Sequence, residues 1–137
     1  MHISKRHSNF DNVQGKVFYN FHQDEYYIPT SIPVKFLENI LKSYNIGPRR
    51  TITIIGFSQG GYLAPVAAQG LKSKFNIKQV IGISCKFRPK NIKGKITYPL
   101  NLIMGKNDQS VHPEESQELF SQFKNKGIEG DFFMLPQ

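Results

Sequence analysis

Several features that would direct the interpretation of a 137-residue chain are scarce or missing. The sequence has no tryptophan and a single cysteine, Cys85, so an internal disulfide is excluded and a reducing compartment is favoured. No apolar run approaches the length of a membrane span, and the first residues lack the apolar segment of a secretory signal. We therefore expect one globular domain that resides in the cytoplasm.

Acidic residues are also few, with 10 against 18 lysines and arginines, which gives a net charge of +8. Residues 72–95 contain eight basic side chains and no acidic one, which equals the whole excess. Such a stretch could bind nucleic-acid phosphates, but it offers only Phe75 and Phe87 for stacking on bases. A solvated surface is the favoured interpretation, and a nucleic-acid-binding surface is kept as an alternative.

The most informative segment is Gly56-Phe57-Ser58-Gln59-Gly60, which follows a β-branched apolar run and precedes an alanine-rich helical pattern. A strand, a sharp turn and a helix around such a serine are typical of a nucleophile elbow, whose strained backbone exposes the hydroxyl. Gln59, at the start of the helix, would present its backbone N–H to an oxyanion. A phosphate-binding turn is the alternative, but the Gly-Lys-Ser/Thr ending of a P-loop is missing.

Hydrophobic periodicity predicts the order of helices and strands. We expect strands at residues 51–55, 80–84, 100–105 and 131–135. We expect helices at residues 33–45, 59–74 and 113–126. Pro65 should kink the second helix without breaking it. Apolar strands that alternate with helices indicate an α/β fold of about four parallel strands, flanked by helices in three αβα layers.

Asp108 is the second candidate, in the loop that leaves the third predicted strand. A carboxylate there could hold an imidazole in its reactive tautomer and stabilise the imidazolium that forms on proton transfer. The order serine and then aspartate is that of α/β-hydrolases. The alternative is an Asx-turn, in which the aspartate caps the next connection.

Residues 54–68 and 100–113 resemble the phospholipase/carboxylesterase branch of the α/β-hydrolases, which includes acyl-protein thioesterase-like enzymes. Residues 15–21 are similar to a Gly-x-x-Trp-Phe stretch of that family. The resemblance implies a partial α/β-hydrolase fold and a serine hydrolase without cofactor or metal. It also implies a small-molecule carboxylic ester or thioester as the substrate and an acyl-enzyme as the intermediate.

The same resemblance assigns Ser58 as the nucleophile, the backbone N–H of Gln59 as one oxyanion donor and Asp108 as the triad acid. In the family the catalytic histidine follows the last strand by a few residues, and no histidine occupies that position before Gln137. We therefore expect residues 1–137 to be an internal fragment of roughly two thirds of one domain, inactive or nearly so.

The other chemically competent side chains offer no replacement for the missing base. His112 shares a loop with the acid, from which reaching Ser58 is geometrically awkward. The remaining three histidines have no metal-ligand spacing and are expected to be solvated: His2, His7 and His22. Cys85 has no positioned histidine nearby and is expected to be a small buried side chain, where similar proteins have glycine.

Two alternatives to an active esterase stay open. A non-catalytic remnant or ligand-binding module would use the pocket above Ser58. A basic nucleic-acid binder would use residues 72–95 and bind with a steep salt dependence. We also expect the strand at 51–55 to lack its parallel neighbour, and the exposed edge would favour aggregation.

Overall fold

The computed structural model describes residues 2–3, 19–20, 25–26 and 29–136. Five parallel strands form one sheet in the order β1-β4-β5-β6-β7, and β2 and β3 form a separate antiparallel pair. The strands are β1 (His2–Ile3), β2 (Tyr19–Asn20), β3 (Glu25–Tyr26), β4 (Thr51–Phe57), β5 (Asn76–Ile83), β6 (Leu100–Gly105) and β7 (Phe132–Leu135).

Within the described residues, three helices connect the strands, with a short 3₁₀ turn at Pro89–Asn91. The helices are α1 (Ser31–Ser43), α2 (Gln59–Leu71) and α3 (Pro113–Asn125). Helix α2 continues through Pro65, as expected for a proline that does not break the helix. None of the described helices has the length and apolar character needed to cross a membrane.

The predicted parallel sheet with flanking helices is confirmed, with the bounds of β6 as predicted. Strand β5 begins at Asn76, four residues before the predicted start at 80. The prediction started the strand too late because Lys78 and Gln79 interrupt the apolar run. Gln79 lies within the sheet, where its side-chain oxygen accepts a hydrogen bond of 3.1 Å from Asn101 on β6. A half-buried polar pair therefore stands where an apolar run would have indicated the strand.

Strand β1 corrects the expectation that the strand at 51–55 has no parallel neighbour. His2 pairs with Ile55 and Ile3 pairs with Gly56, so the carboxyl-terminal end of β4 is paired on both sides. A two-residue strand is too short to show a sequence period, which is why the pattern of residues 1–30 did not reveal it. Most of the segment 15–21 lies outside the described residues.

One cross-sheet row of residues shows how the helices cover the sheet. Gly56, Gly82, Leu102 and Phe132 are partners across β4 to β7 and point to the same face. On this face Leu102 is fully buried, and the ring of Phe132 lies 5.7 Å from that of Phe120 on α3. The core therefore lies between the sheet and α2 and α3, and it is centred on Leu63, Leu71, Phe87, Leu100, Leu102 and Met104.

Helix α1 is joined to the end of α2 by a carboxylate that three lysines surround. Glu38 accepts hydrogen bonds from Lys35 at 2.8 Å, Lys42 at 3.1 Å and Lys74 at 2.9 Å. The Glu38 side chain is only 5% exposed, because the lysine side chains cover it near the protein surface. These contacts, led by Lys35 and Lys74, lower the pKa of Glu38 from 4.5 to about 2.

Replacing Glu38 with glutamine should therefore lower the stability of the fold in a pH-dependent manner. The folded pKa lies below the unfolded one, so the carboxylate stabilises the fold at pH 7 and loses this effect as the pH falls from about 4.5 towards 2. Urea unfolding should show nearly the same difference between wild type and Glu38→Gln at pH 7 and pH 5, and a clearly smaller difference at pH 3. A difference that stays constant over this range, or an equal loss in the exposed control Glu118→Gln, would contradict the assignment.

Candidate active site

Ser58 stands at the bend between β4 and α2. Its φ of 52° and ψ of −117° place it at positive φ, which is rare for a residue with a side chain and costs conformational energy. Its N–H donates to the carbonyl of Ile83 on β5 at 2.8 Å, and its carbonyl accepts from the N–H of Gly61 at 2.9 Å. The bend is therefore fixed from the sheet on one side and from the helix on the other.

Glycine is required on both sides of this bend, by a close backbone approach at Gly56 and by a close side-chain approach at Gly61. A Cβ atom at Gly56 would lie 2.2 Å from the carbonyl oxygen of Gly60. A Cβ atom at Gly61 would lie 2.4 Å from the sulfur of Cys85. The sequence motif predicts the first approach, whereas the second depends on a cysteine that follows the next strand. Gly61 is thus a site-forming residue whose only sequence signal is its position after Gly60.

Gln59 is the first residue of α2, and its side chain is fully buried. The first amides of a helix have no acceptor within the helix, and the positive end of the helix dipole lies there. This position next to Ser58 suits the stabilisation of negative charge that develops at a bound carbonyl oxygen.

Asp108 lies in the loop after β6 and is half-buried. Its Oδ1 atom accepts hydrogen bonds from the N–H groups of Ser110 at 2.9 Å and Val111 at 3.0 Å. The Asx-turn considered as the alternative is therefore present. It engages one carboxylate oxygen, and Oδ2 makes no hydrogen bond with any residue that the structure describes. The turn holds the carboxylate in place while Oδ2 stays accessible to a further donor.

A cavity of about 310 Å³ adjoins this carboxylate. Its lining is Ile83, Ser84, Ile103, Gly105, Asn107, Asp108 and Leu135. Ser84 directly follows β5 with a positive φ of 53°, and its N–H donates to the carbonyl of Ile103 at 2.9 Å. Sequence reasoning did not single out Ser84, although polar residues that end adjacent parallel strands share one edge of the sheet.

Ser58 and Asp108 follow β4 and β6, which flank β5, and thus lie on the same edge of the sheet. Two strand spacings separate these positions by roughly 10 Å. Ser58 is not part of the cavity lining, and no hydrogen bond joins it to Asp108 among the described residues. An imidazole ring with a hydrogen bond at each nitrogen spans about 8 Å, which suits the space between them.

The histidines and the cysteine are placed as follows. His112 occupies the residue before α3 without a side-chain capping hydrogen bond, is exposed and makes no hydrogen bond with Ser58 or Asp108 among the described residues. His2 pairs through its backbone in β1, and the predictions for His7 and His22 fall outside the described residues. The prediction of a buried Cys85 is confirmed, and burial raises the pKa of its thiol.

Within the described segments, no three potential metal ligands come together in a group. The chemical groups at this edge of the sheet are the Ser58 hydroxyl, the Asp108 carboxylate and the Gln59 amide, and acyl-transfer chemistry uses groups of these kinds.

Comparison with known proteins identifies a family whose model matches this chain. A family model described as a serine hydrolase, FSH1, matches residues 3–133. No curated protein matches the chain. Similar solved structures include the esterase PE8, at 24% identity over 77% of this chain and 49% of that one, with a TM-score of 0.64.

Two further structures are similar in fold. A thermostable esterase has 22% identity over 86% of this chain and 32% of its own, with a TM-score of 0.65. Alpha/beta hydrolase domain-containing protein 10 from mouse has 15% identity over 99% of this chain and 79% of its own, with a TM-score of 0.58. These likenesses confirm the α/β-hydrolase fold, and the chain spans about half the length of esterase PE8.

The contact between Gly61 and Cys85 predicts a coupled pair of substitutions. Gly61→Ala should lower the free energy of unfolding by about 1–3 kcal/mol, because the added methyl group overlaps the buried sulfur. In a Cys85→Gly background the same substitution should cost less, because the sulfur is gone. Urea unfolding of the four proteins measures this coupling. Equal losses in both backgrounds would contradict the contact.

Proposed function

The chain belongs to the FSH1 serine hydrolase family, and from that membership we propose that it is a carboxylic-ester or thioester hydrolase with Ser58 as its nucleophile. The observation that carries this proposal is the positive φ of Ser58 between β4 and α2. A residue with a side chain is held in such a conformation only where the surrounding structure enforces it, and such strain is concentrated at reactive sites.

The proposed reaction has two steps that pass through an acyl-enzyme. The Ser58 oxygen attacks the substrate carbonyl while a base takes its proton, and the tetrahedral oxyanion then expels the alcohol or thiol, which receives that proton. Water repeats the sequence on the acyl-enzyme and releases the acid. The Gln59 N–H is the proposed oxyanion donor, since it opens α2 beside the nucleophile. All of these steps use protein groups and water.

Asp108 is the proposed acid that orients the base. Ser110 and Val111 hold its Oδ1 atom, so Oδ2 can accept the N–H of an imidazole in the adjoining cavity. The carboxylate would then stabilise the imidazolium in the transition state. The apolar part of the cavity lining would strengthen this interaction by excluding water.

The reaction needs a proton acceptor between Ser58 and Asp108. Strand β7 ends at this place, since the Lys106 N–H donates to the Leu135 carbonyl at 2.7 Å and Leu135 lines the cavity. A histidine a few residues after such a strand, as in the enzymes that the sequence resembles, would enter the cavity. Without that base, we propose that turnover is reduced by about 10⁴- to 10⁶-fold.

The narrower assignment to the phospholipase/carboxylesterase type, with a small-molecule substrate and a cytoplasmic location, belongs to this proposal as well. It is supported by the residues of the nucleophile and acid segments. A ligand-binding remnant is the second candidate. It is favoured by one observation, which is that His112 is exposed and makes no hydrogen bond with Ser58 or Asp108 among the described residues.

We give the nucleic-acid alternative less weight, because the rings that it would use for stacking are buried. Phe75 and Phe87, the two rings available for stacking, are 5% and 0% exposed. Lys74 pairs with Glu38, and Lys86 pairs with Glu115. Stacking on bases requires accessible rings, and phosphate binding is strengthened by unpaired cations. A solvated basic surface therefore explains the charge better.

Hydrolysis of p-nitrophenyl acetate tests the proposed function. The wild-type chain should show a slow rate that Ser58→Ala reduces to the blank. Added imidazole serves as a soluble base for the cavity. With imidazole present, wild type should hydrolyse the ester faster than imidazole does without protein. Asp108→Asn should weaken that increase at least tenfold, because the amide cannot stabilise an imidazolium.

Ser110→Ala is the matched control, because it removes an exposed hydroxyl of the same loop and keeps the N–H that binds Asp108. It should behave as wild type. Equal rates for wild type and Ser58→Ala, with and without imidazole, would remove the hydrolase proposal for this chain and leave the ligand-binding candidate.

A further inference from the structure

We infer that residues 85–88, here named the support segment, set the separation of Ser58 and Asp108, with Glu115 and Ser116 as the positioning residues. The inference rests on the proposed function for its consequence in catalysis. Its structural part, that these two residues hold the Asp108 loop in place, can be tested without any enzymatic activity.

The support segment follows β5 and packs against the bend at Ser58, here named the nucleophile bend. The sulfur of Cys85 lies so close to Gly61 and Gly82 that added Cβ atoms would approach it to 2.4 Å and 2.7 Å. Cys85 and Phe87 are both fully buried. Any shift of this segment therefore moves the first turn of α2, which begins directly after Ser58, because the packing leaves no free space.

The same segment binds the first turn of α3. Ser116 is fully buried, and its hydroxyl donates to the carbonyl of Cys85 at 2.7 Å. Glu115 accepts a hydrogen bond of 2.7 Å from Lys86, and a guanidinium nitrogen of Arg88 lies 3.9 Å from its other oxygen. Three contacts thus connect Cys85, Lys86 and Arg88 of the support segment to two adjacent residues of α3.

Helix α3 carries this restraint to the acid. It begins at Pro113, two residues after Val111, whose N–H binds the Oδ1 atom of Asp108. Val111 is itself only 3% exposed. The buried Val111 therefore anchors the end of the loop to the first turn of α3. The nucleophile bend and the acid loop therefore share one support, which fixes their relative position.

The pair of Lys86 and Glu115 differs from an ordinary surface ion pair. The Lys86 side chain is 10% exposed, and a cation buried to that degree needs a close anionic partner. The hydrogen bond from Lys86 is the main cause that lowers the pKa of Glu115. Glu114 occupies the same first turn and shares its dipole, but it is exposed and makes no ion pair with the described residues. A substitution of Glu114 therefore distinguishes the effect of the ion pair with Lys86 from the effect of a negative charge near the helix dipole.

Amide hydrogen exchange of Ser110 and Val111, followed by NMR, tests the restraint directly. Glu115→Gln and Ser116→Ala should each accelerate exchange at these two amides about tenfold. The matched controls are Glu114→Gln, which keeps the Lys86 pair, and Ser121→Ala, which removes an exposed hydroxyl of the same helix. They should leave both amides unchanged.

The amide of Leu102, which donates to the Asp131 carbonyl at 3.0 Å within the sheet, reports on general destabilisation. It should exchange at the wild-type rate in every variant. Unchanged exchange at Ser110 and Val111 in both test variants would overturn the inference. Equal acceleration in Glu114→Gln would also overturn it, because the helix dipole would then explain the effect.

The catalytic consequence is measured on Ser58-dependent hydrolysis in the presence of imidazole. Glu115→Gln and Ser116→Ala should lower kcat about tenfold at unchanged KM, since the ester binds normally while the acid is misplaced. If wild type and Ser58→Ala hydrolyse the ester equally, the proposed function fails, and the exchange experiment still decides the structural part. An unchanged kcat with accelerated exchange would overturn the catalytic part alone.

Discussion

The approach of Gly56 to the carbonyl of Gly60 is the constraint on which the rest of the site depends. The end of β4 and the start of α2 touch without an intervening side chain, so the chain reverses its direction within a single residue. Ser58 is that residue, and its positive φ is the cost of the reversal. The bend places a hydroxyl at the carboxyl edge of the sheet and directs the following helix across the buried face.

The remaining parts of the site follow from parallel pairing and from one shared support. Strands β4, β5 and β6 end side by side, so Ser58, Ser84 and Asp108 line one edge in order. The support segment then fits beneath α2 and binds the first turn of α3. A small thiol, a buried hydroxyl and a largely buried lysine thus connect two groups that are distant in the sequence.

The sequence predicts those parts whose signals are local. The strand at 100–105 is apolar apart from Asn101, and the bend is encoded in a few consecutive residues. Gly61, Glu115 and Ser116 escape such reasoning, because their roles depend on partners about 30 residues away or on the next strand. Asp108 lies between these cases. Its loop predicts both an Asx-turn and a catalytic acid, and the structure shows that the turn occupies only one oxygen.

Urea unfolding of Gly56→Ala beside Gly47→Ala tests the central constraint most directly. A Cβ at Gly47 would meet nothing within 4 Å, so that variant should match wild type within about 0.5 kcal/mol. Gly56→Ala should lose at least about 3 kcal/mol or its cooperative transition altogether, because the methyl group would overlap a backbone carbonyl that cannot move away. A Gly56→Ala protein that unfolds at the wild-type midpoint would contradict the tight bend and the site built on it.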